Sequence, residues 1–345
     1  MTEYNVSIVI PAYNCSKHIK ECIQSATNQT LREIEIIIVN DASTDDTGSI
    51  IEDFSKRNAN IIIINHAINR GQGAARNNGI ARARGKYIFL LDADDSIPPK
   101  SLDTLYRIAE EYSSDIVFGK TNSEVSQDGN YILSEMRNVS LETYPALVYN
   151  HSVWNKLYLR EFLLGNRLRF EPPRCAEDVS FSIRTNLVAK SISITTRETY
   201  NYRFGRQIDY TTKQKIVDAF HNVTNALTLV EKSSSPLLIR EMRRKTARNA
   251  YASMIRAERV MSRDELKKLL AEWQTVLQKM PDAIINSIPP RHSEFCKLVI
   301  DGDFEAALLF RERQIRSVSA RKSSSSAKSS PLRWVCRKLC SQILK

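Results

Sequence analysis

Residues 85–95 read GKYIFLLDADD, an apolar run that passes directly into three carboxylates within four residues. The run is short and aliphatic or aromatic at most positions, which is typical of a buried strand. Carboxylates so close together repel one another, by about 4 kcal/mol per pair at 4 Å with an effective dielectric of 20. Because a divalent cation with oxygen ligands relieves that repulsion, this junction suits a bound metal–diphosphate, with Mg²⁺ or Mn²⁺ as the ion.

Outward from this junction, the first 120 residues alternate between strand and helix patterns. The apolar runs that predict strands lie at 6–10, 34–39, 61–64 and 86–91. Ser16 is the expected N-cap of the first intervening helix, and residues 74–83 form the helix before the last run. This order predicts an α/β fold with a mainly parallel central sheet flanked by helices, in which ligands bind beyond the carboxyl ends of the strands.

Polar clusters follow two more of the predicted strands. The first strand runs into PAYN at 11–14, and the second into NDASTD at 40–45. Asn, Asp, Ser and Pro are also ordinary turn formers and helix caps, and for the 40–45 cluster that explanation is equally good. The acidic cluster at 92–95 is harder to explain as a turn, because its charges repel.

Several of these segments together resemble glycosyltransferase family 2. The resemblance rests on residues 6–14, 28–30, 36–45, 73–77 and 85–95, which match in order and spacing. Residues 154–158, 177–181 and 200–203 continue a pattern that is similar to bacterial polysaccharide-building members. The resemblance covers about residues 4–205 and implies a GT-A nucleotide-sugar fold.

The resemblance also implies the roles of single residues. The nucleotide pocket would be lined by Pro11, Ala12 and Tyr13, and Asp41 would accept a hydrogen bond from the base. The residues implied at the diphosphate and the sugar are Arg76 near the donor, Asp92 at the ribose or a metal-bound water, Asp94 as metal ligand and Asp178 as catalytic base. The sequence departs from the family pattern at Ala42, where many relatives have Gly. The absence of that glycine is expected to tighten the turn.

The predicted chemistry is transfer of a sugar from a nucleotide-diphosphate donor, with UDP-sugars the commonest for such a pocket, to an acceptor hydroxyl. One base and no second nucleophile indicate a single displacement that inverts the anomeric carbon, while the cation neutralises the departing diphosphate. Lys156 and Arg203 are further donor-binding candidates that could pair with phosphate oxygens, although a structural role for either charge remains open. The implied process is synthesis of a bacterial capsule, exopolysaccharide or lipopolysaccharide on a glycan or lipid-linked glycan acceptor.

The chain carries a net charge of +11, and its distribution indicates where partners bind. Residues 311–345 contain ten basic residues and one acidic residue, which is +9 of the total. The predicted organisation is a catalytic domain at 1–211, a helical region at 212–320, a Ser-rich linker at 321–331 and a basic amphipathic helix at 332–345. This last helix is predicted to lie on an anionic membrane surface, with docking on protein as the alternative.

Composition bounds the remaining alternatives. Six scattered cysteines and an N-terminus that enters a strand at once predict reduced thiols and a cytoplasmic protein, peripheral on the inner face of the cytoplasmic membrane. A sugar-nucleotide nucleotidyltransferase is disfavoured, because no Gly-rich basic loop follows the first strand. A non-catalytic membrane or nucleic-acid binder ranks lower still, and no nucleic-acid partner is expected, because the body lacks basic patches interleaved with aromatic residues.

Overall fold

The computed structural model describes residues 4–122, 134–172, 177–203, 212–233 and 235–323, with side chains described as far as residue 314. The strands are β1 (Tyr4–Ala12), β2 (Ile34–Asn40), β3 (Ile61–Asn65), β4 (Gly85–Leu90), β5 (Ile116–Thr121), β6 (Met136–Val139), β7 (Lys156–Leu159) and β8 (Ile192–Tyr200). The helices between and beside them are α1 (Ile19–Thr27), α2 (Thr47–Arg57), α3 (Gln72–Arg82), α4 (Ser101–Tyr112), α5 (Arg160–Gly165) and α6 (Glu177–Val188). The later helices are α7 (Lys213–Glu231), α8 (Pro236–Ala257), α9 (Arg263–Leu277), α10 (Asp282–Asn286), α11 (Pro290–Ile300) and α12 (Phe304–Ser323).

These strands form one sheet in the order β3-β2-β1-β4-β7-β5-β8-β6. β3, β2, β1 and β4 are parallel to one another, as the alternating sequence pattern predicted. β7 enters antiparallel between β4 and β5, and β6 pairs antiparallel with β8 at one edge. The mixed half of the sheet was not visible in the sequence, because its strands are short and lack a clear period.

Strand order explains why the polar clusters meet. β1 lies between β2 and β4, with Ala12 beside Asn40 in the β1–β2 register. In a parallel sheet the carboxyl ends of neighbouring strands share one edge, so residues 11–14, 40–45 and 91–95 are brought together. β1 and β2 are buried over most of their length, as expected of strands covered on both faces.

Helix α1 buries the apolar face that its spacing predicted, with Ile19, Cys22 and Ile23 fully buried. Its predicted N-cap is wrong, because the helix begins at Ile19 and the residue at the cap position is His18. The backbone N–H of Ser16 instead donates to Asp45 in the loop after β2 (3.1 Å). Ser16 therefore contacts the loop after β2 and does not cap α1.

Helix α3 crosses β1 at a close approach. A Cβ placed on Gly79 would lie 2.2 Å from Cγ1 of Val9, so the helix can reach this position only because residue 79 has no side chain. The approach places Arg76, one turn earlier on the same helix, over the carboxyl ends of the strands.

The chain separates into two compact units. The first contains Met1–Arg203 and Gln214–Thr246, and thus the sheet, α7 and the first half of α8. The second contains Phe204–Lys213 and Ala247–Lys345, in which α9, α11 and α12 pack on one another. As divisions of function, the boundaries after residues 211, 320 and 331 stay predictions.

The C-terminal unit confirms one local prediction. Ser262 caps α9 and Glu265 reaches back to the cap, which is the capping box expected from the sequence. α12 continues to Ser323, three residues into the predicted linker, and the amphipathic helix at 332–345 lies outside the described residues. Within the part of the chain that the structure describes, no helix has the length and apolar character needed to cross a bilayer.

Candidate active site

The turn after β2 is built around Asp41. Both carboxylate oxygens are occupied: Oδ1 accepts from the backbone N–H of Arg70 (2.8 Å), and Oδ2 accepts from that of Gly71 (2.7 Å). His66 Nδ1 lies 2.6 Å from Oδ1. Because the amide of Asn78 donates to His66 Nε2 (2.8 Å), the ring proton sits on Nδ1 and is donated to Asp41. Asp41 is thereby fixed at the start of α3.

Ala42 is the position where the resemblance led us to expect a tightened turn. Its φ is +61°, in the left-handed region that favours glycine. An alanine there costs about 1–2 kcal/mol relative to the usual helical or extended conformations. The methyl group of Ala42 therefore strains the turn, and its effect on the tightness of the turn stays a prediction.

Arg76 joins two groups of carboxylates. This side chain is 3% exposed, and its Nη2 donates to Oδ1 of Asp92 (2.8 Å) while Nη1 lies 3.9 Å from Oε1 of Glu177. Gln72, one turn earlier on α3, also donates to Asp92 Oδ1 (3.0 Å). The guanidinium lies 5.1 Å from the ring centre of Phe170. The acidic end of β4 and the acidic start of α6 therefore meet at one buried cation.

A pair of amide hydrogen bonds holds the chain ahead of α6 in place. Asn77 donates from its side chain to the carbonyl of Phe170 (2.7 Å) and accepts from the backbone N–H of the same residue (2.9 Å). The Phe170 ring also stacks on Phe181 of α6, with centres 4.0 Å apart. These contacts attach α6 to α3, so Asp178 is positioned by the same helix that carries Arg76.

Asp178 and Glu177 both have raised pKa values. Burial raises the pKa of Asp178, Arg76 opposes that rise and the charge of Asp92 adds to it. Burial also raises the pKa of Glu177 to about 7, with Arg76 acting against the rise and Asp178 in favour. Asp178 keeps partial exposure, as a group that must meet a substrate requires. Such a pair of shifted carboxyls in one place is typical of a catalytic site.

The other acidic residues after β4 are attached to the end of β8. Tyr200 donates from its hydroxyl to Oδ2 of Asp95 (2.8 Å), and the backbone N–H of Asp92 donates to that hydroxyl (3.2 Å). Arg203 donates its backbone N–H to Oδ1 of Asp95 (2.8 Å) and its Nε to the carbonyl of Asp94 (2.9 Å). The same guanidinium pairs with Glu21 of α1. Arg203 thus lies beside the metal candidate, as the donor-binding prediction requires.

Three aromatic rings form a stack next to this segment. Trp154 lies between Tyr200 and Tyr202, with ring centres 4.5 and 5.2 Å apart. Tyr13, at the end of β1, is 50% exposed, whereas Ala12 is buried. An exposed aromatic ring at the edge of a strand is suited to contact a planar base, which fits the predicted nucleotide pocket at Pro11, Ala12 and Tyr13.

Lys156 does not lie where the donor-binding prediction assumed. Its side chain is fully buried, and Nζ donates to Ser182 Oγ (2.7 Å) and to the carbonyl of Asn150 (3.3 Å). The ammonium also lies 4.4 Å from the ring centre of Phe118. These contacts enclose the ammonium in protein, so it meets no exposed phosphate site in this arrangement.

Asp94 is suited to a cation in position and chemistry. It is partly exposed, directly after the strand whose neighbouring carboxylates, Asp92 and Asp95, are already held by protein groups. Among the residues that the structure describes, no cluster of three or more acidic, His or Cys side chains could hold a metal by itself. A single carboxylate fits an ion whose other ligands come from a diphosphate and water.

Sequence reasoning missed three contributors to this site. His66, which donates to Asp41, and Glu177 and Gln72 were given no individual role there. His66 follows β3 at the same edge of the sheet as the polar clusters, which is the signal that could have indicated it. Glu177 could have been found beside Asp178, but only the fold shows that it faces Arg76.

The parallel strands, the polar residues at their carboxyl ends and the carboxylates around Arg76 define a GT-A glycosyltransferase fold. The model of the family described as "Glycosyl transferase family 2" matches residues 7–175. This match confirms the predicted resemblance to glycosyltransferase family 2 over those residues.

Two relatives agree with that assignment. "Uncharacterized glycosyltransferase EpsJ" of Bacillus subtilis (strain 168) is 37% identical over 209 residues, which are 57% of this chain and 60% of that protein. "Poly(ribitol-phosphate) beta-glucosyltransferase" of Bacillus spizizenii is 30% identical over 231 residues, 64% of this chain and 36% of that protein. The chain therefore spans less than two thirds of the length of these relatives.

A solved structure has the same fold. S. aureus TarS 1–349 in complex with UDP-GlcNAc has a TM-score of 0.70 to this chain at 20% identity, covering 91% of this chain and 92% of that one. This likeness confirms the GT-A fold and extends over the helical C-terminal region as well as the sheet.

Proposed function

We propose that the protein is an inverting glycosyltransferase that moves a sugar from a nucleoside-diphosphate donor to an acceptor hydroxyl. The observation that carries the proposal is Arg76, which joins the acidic end of β4 at Asp92 to the acidic start of α6 at Glu177. A diphosphate-binding edge and a candidate base thus lie on two sides of one buried cation, which is the arrangement that a single displacement needs.

In the proposed reaction, the acceptor oxygen attacks the anomeric carbon as its proton passes to a carboxylate oxygen of Asp178. The bond between the anomeric carbon and the diphosphate oxygen breaks, and its electron pair leaves with the diphosphate. Mn²⁺ or Mg²⁺ held at Asp94 would neutralise charge on that leaving group. Asp178 must be ionised to accept a proton, so turnover should fall as the pH falls through its raised pKa.

A UDP-sugar is the proposed donor, and the UDP-GlcNAc complex of the structurally similar TarS supports that choice. The proposed acceptor is a glycan or lipid-linked glycan of the bacterial cell surface, in line with the relative whose name specifies poly(ribitol-phosphate). We further propose a cytoplasmic location, with residues 332–345 on the inner face of the membrane. A thermal-shift panel of nucleotide sugars, with and without Mn²⁺, would identify the donor.

The test of the base is Asp178→Asn. The amide cannot take up the acceptor proton, so turnover should fall by about 10²-fold or more while donor binding persists. Turnover is measured as nucleotide release with acceptor, and binding by calorimetry with the donor. Asp53→Asn, an exposed carboxylate on α2, is the matched control and should leave both unchanged. Full turnover in the Asp178 variant would remove this residue from the mechanism.

A further inference from the structure

Lys156 is a buried cation that has no role in the proposed mechanism. It begins β7, the antiparallel strand inserted between β4 and β5, and its side chain is 0% exposed. A fully buried ammonium costs several kcal/mol in lost hydration unless charge and hydrogen bonds compensate. The carbonyl of Asn150, the hydroxyl of Ser182 and the face of Phe118 supply part of that compensation.

The charge of Asp178 supplies a further part of that compensation. Ser182 is four residues after Asp178 on α6, so the two side chains project from the same face of the helix. The hydrogen bond from Lys156 to Ser182 therefore places the ammonium against the turn that begins with the candidate base. Burial holds the pKa of Lys156 well below its usual value, the charge of Asp178 opposes that fall, and the charge of Lys245 adds to it. By reciprocity, the ammonium favours the ionised form of Asp178.

The charges around Asp178 come from every element that packs near it. They are Glu177 of α6, Arg76 of α3, Asp92 after β4, and Lys156 and Tyr158 of β7, while Lys245 of α8 acts on Lys156. Arg76 is shared by Asp92 and Glu177 and is also influenced by the charge of Asp178, so one guanidinium serves three carboxylates. Lys156 approaches from the side of the sheet. Among the described residues, it makes no hydrogen bond to Asp92 or to Glu177.

We infer that Lys156 is a positioning residue for Asp178, which keeps that carboxylate ionised through its charge and through Ser182, and that it does not bind the donor. The inference rests on the proposed role of Asp178 as base. It replaces the donor-binding role that the sequence suggested, because a fully enclosed ammonium has no surface to offer a phosphate.

The sign of the effect follows from the charges. Removing a cation near a carboxyl group raises its pKa, so Asp178 would stay protonated to higher pH. An opposite charge within about 4–6 Å typically shifts a carboxyl pKa by about 1–3 units. In Lys156→Met, the acidic limb of the kcat–pH profile should therefore move upward by about one pH unit, while the KM for the donor changes less than about twofold.

The experiment compares full pH profiles of four purified variants with that of the unchanged protein. Ser182→Ala should move the limb in the same direction by a smaller amount, since the ammonium loses its shortest hydrogen bond. Lys56→Met, an exposed lysine on α2, is the matched control and should leave the profile unchanged. Asp178→Asn should lower turnover by about 10²-fold or more and remove the acidic limb from the residual activity.

An unshifted limb in Lys156→Met, or a large rise in donor KM without a shift, would overturn the inference. If that variant does not fold, Ser182→Ala decides alone, and an unshifted limb again overturns it. Wild-type turnover in Asp178→Asn would instead refute the proposed base, so the two failures are distinguishable.

Discussion

At the scale of single residues, the candidate site is dominated by buried charged side chains. Asp92, Glu177 and Asp178 lie around one guanidinium in a region from which much of the water is excluded. Burial is the largest cause of the raised pKa values of Glu177 and Asp178, while Arg76 opposes the rise and the neighbouring carboxylates add to it. Glu177 lies 3.9 Å from Arg76, and its pKa rises to about 7.

The raised pKa of Glu177 predicts a pH dependence of stability. Between pH 4.5 and about 7 the folded protein binds more protons at this residue than the unfolded chain does, so stability falls as the pH rises through that window. The loss from this residue alone is at most about 3 kcal/mol, at 1.36 kcal/mol per unit of pKa shift. In Glu177→Gln, which mimics the protonated form, the loss should be absent.

Urea denaturation of both proteins at several pH values between 4.5 and 8 measures this difference. The free energies of unfolding should be closest near pH 4.5 and diverge as the pH rises to about 7, with the Gln variant more stable. Parallel curves for the two proteins would show that Glu177 does not titrate in this range.

At the scale of secondary-structure elements, α3 organises the site. Its first residues follow the turn that donates two backbone N–H groups to Asp41, its middle carries Arg76, and Asn77 holds the chain before α6. The close approach at Gly79 sets the distance between this helix and β1. A displacement of α3 would therefore disturb the nucleotide side and the acceptor side of the site together.

Gly79→Ala tests that dependence. The added methyl group would lie 2.2 Å from Cγ1 of Val9, and overpacking of this kind typically costs about 1–3 kcal/mol. We expect a lower free energy of unfolding in urea together with weaker donor binding, because Arg76 moves with the helix.

Gly165→Ala is the matched control for this substitution, since a Cβ there meets no atom within 4 Å. It should leave donor binding unchanged and stability unchanged or slightly higher, as alanine favours a helix by up to about 1 kcal/mol over glycine. Equal stability and binding in both variants would mean that α3 tolerates the methyl group by moving without consequence for the site.

At the scale of the whole molecule, charge separates the parts of the chain. Residues 311–345 carry +9 of the net +11, so the remainder of the protein is close to neutral. The amphipathic pattern at 332–345 follows a Ser-rich segment, and both lie beyond the part that the structure describes, apart from residues 321–323. The prediction of a membrane-binding helix thus rests on the sequence pattern.

Deleting residues 332–345 tests the membrane prediction. The truncated protein should lose cosedimentation with vesicles that contain anionic lipid, because both the apolar face and four of the tail's basic residues are removed. Turnover with a soluble acceptor should stay unchanged. Vesicles of neutral lipid are the control, and equal binding of the full and shortened chains to anionic vesicles would contradict the prediction.

The sequence by itself determined the parallel half of the sheet and its functional edge. Strong apolar runs and helical spacing are local signals, and a parallel β-α order forces strand ends such as 11–14 and 92–95 to one side. The resemblance to glycosyltransferase family 2 followed from the same motifs, and so did the Ser262 capping box. The roles of Asp94 and Asp178 stay predictions.

Only the tertiary structure decided which charges face one another. That Arg76 joins Asp92 to Glu177, that His66 donates to Asp41 and that Lys156 is enclosed behind α6 depend on contacts between residues distant in the chain. A sequence shows that a residue is charged, but burial and partners set what the charge does. Those two quantities are fixed only when helices and strands pack, because the cost of burying a charge depends on everything around it.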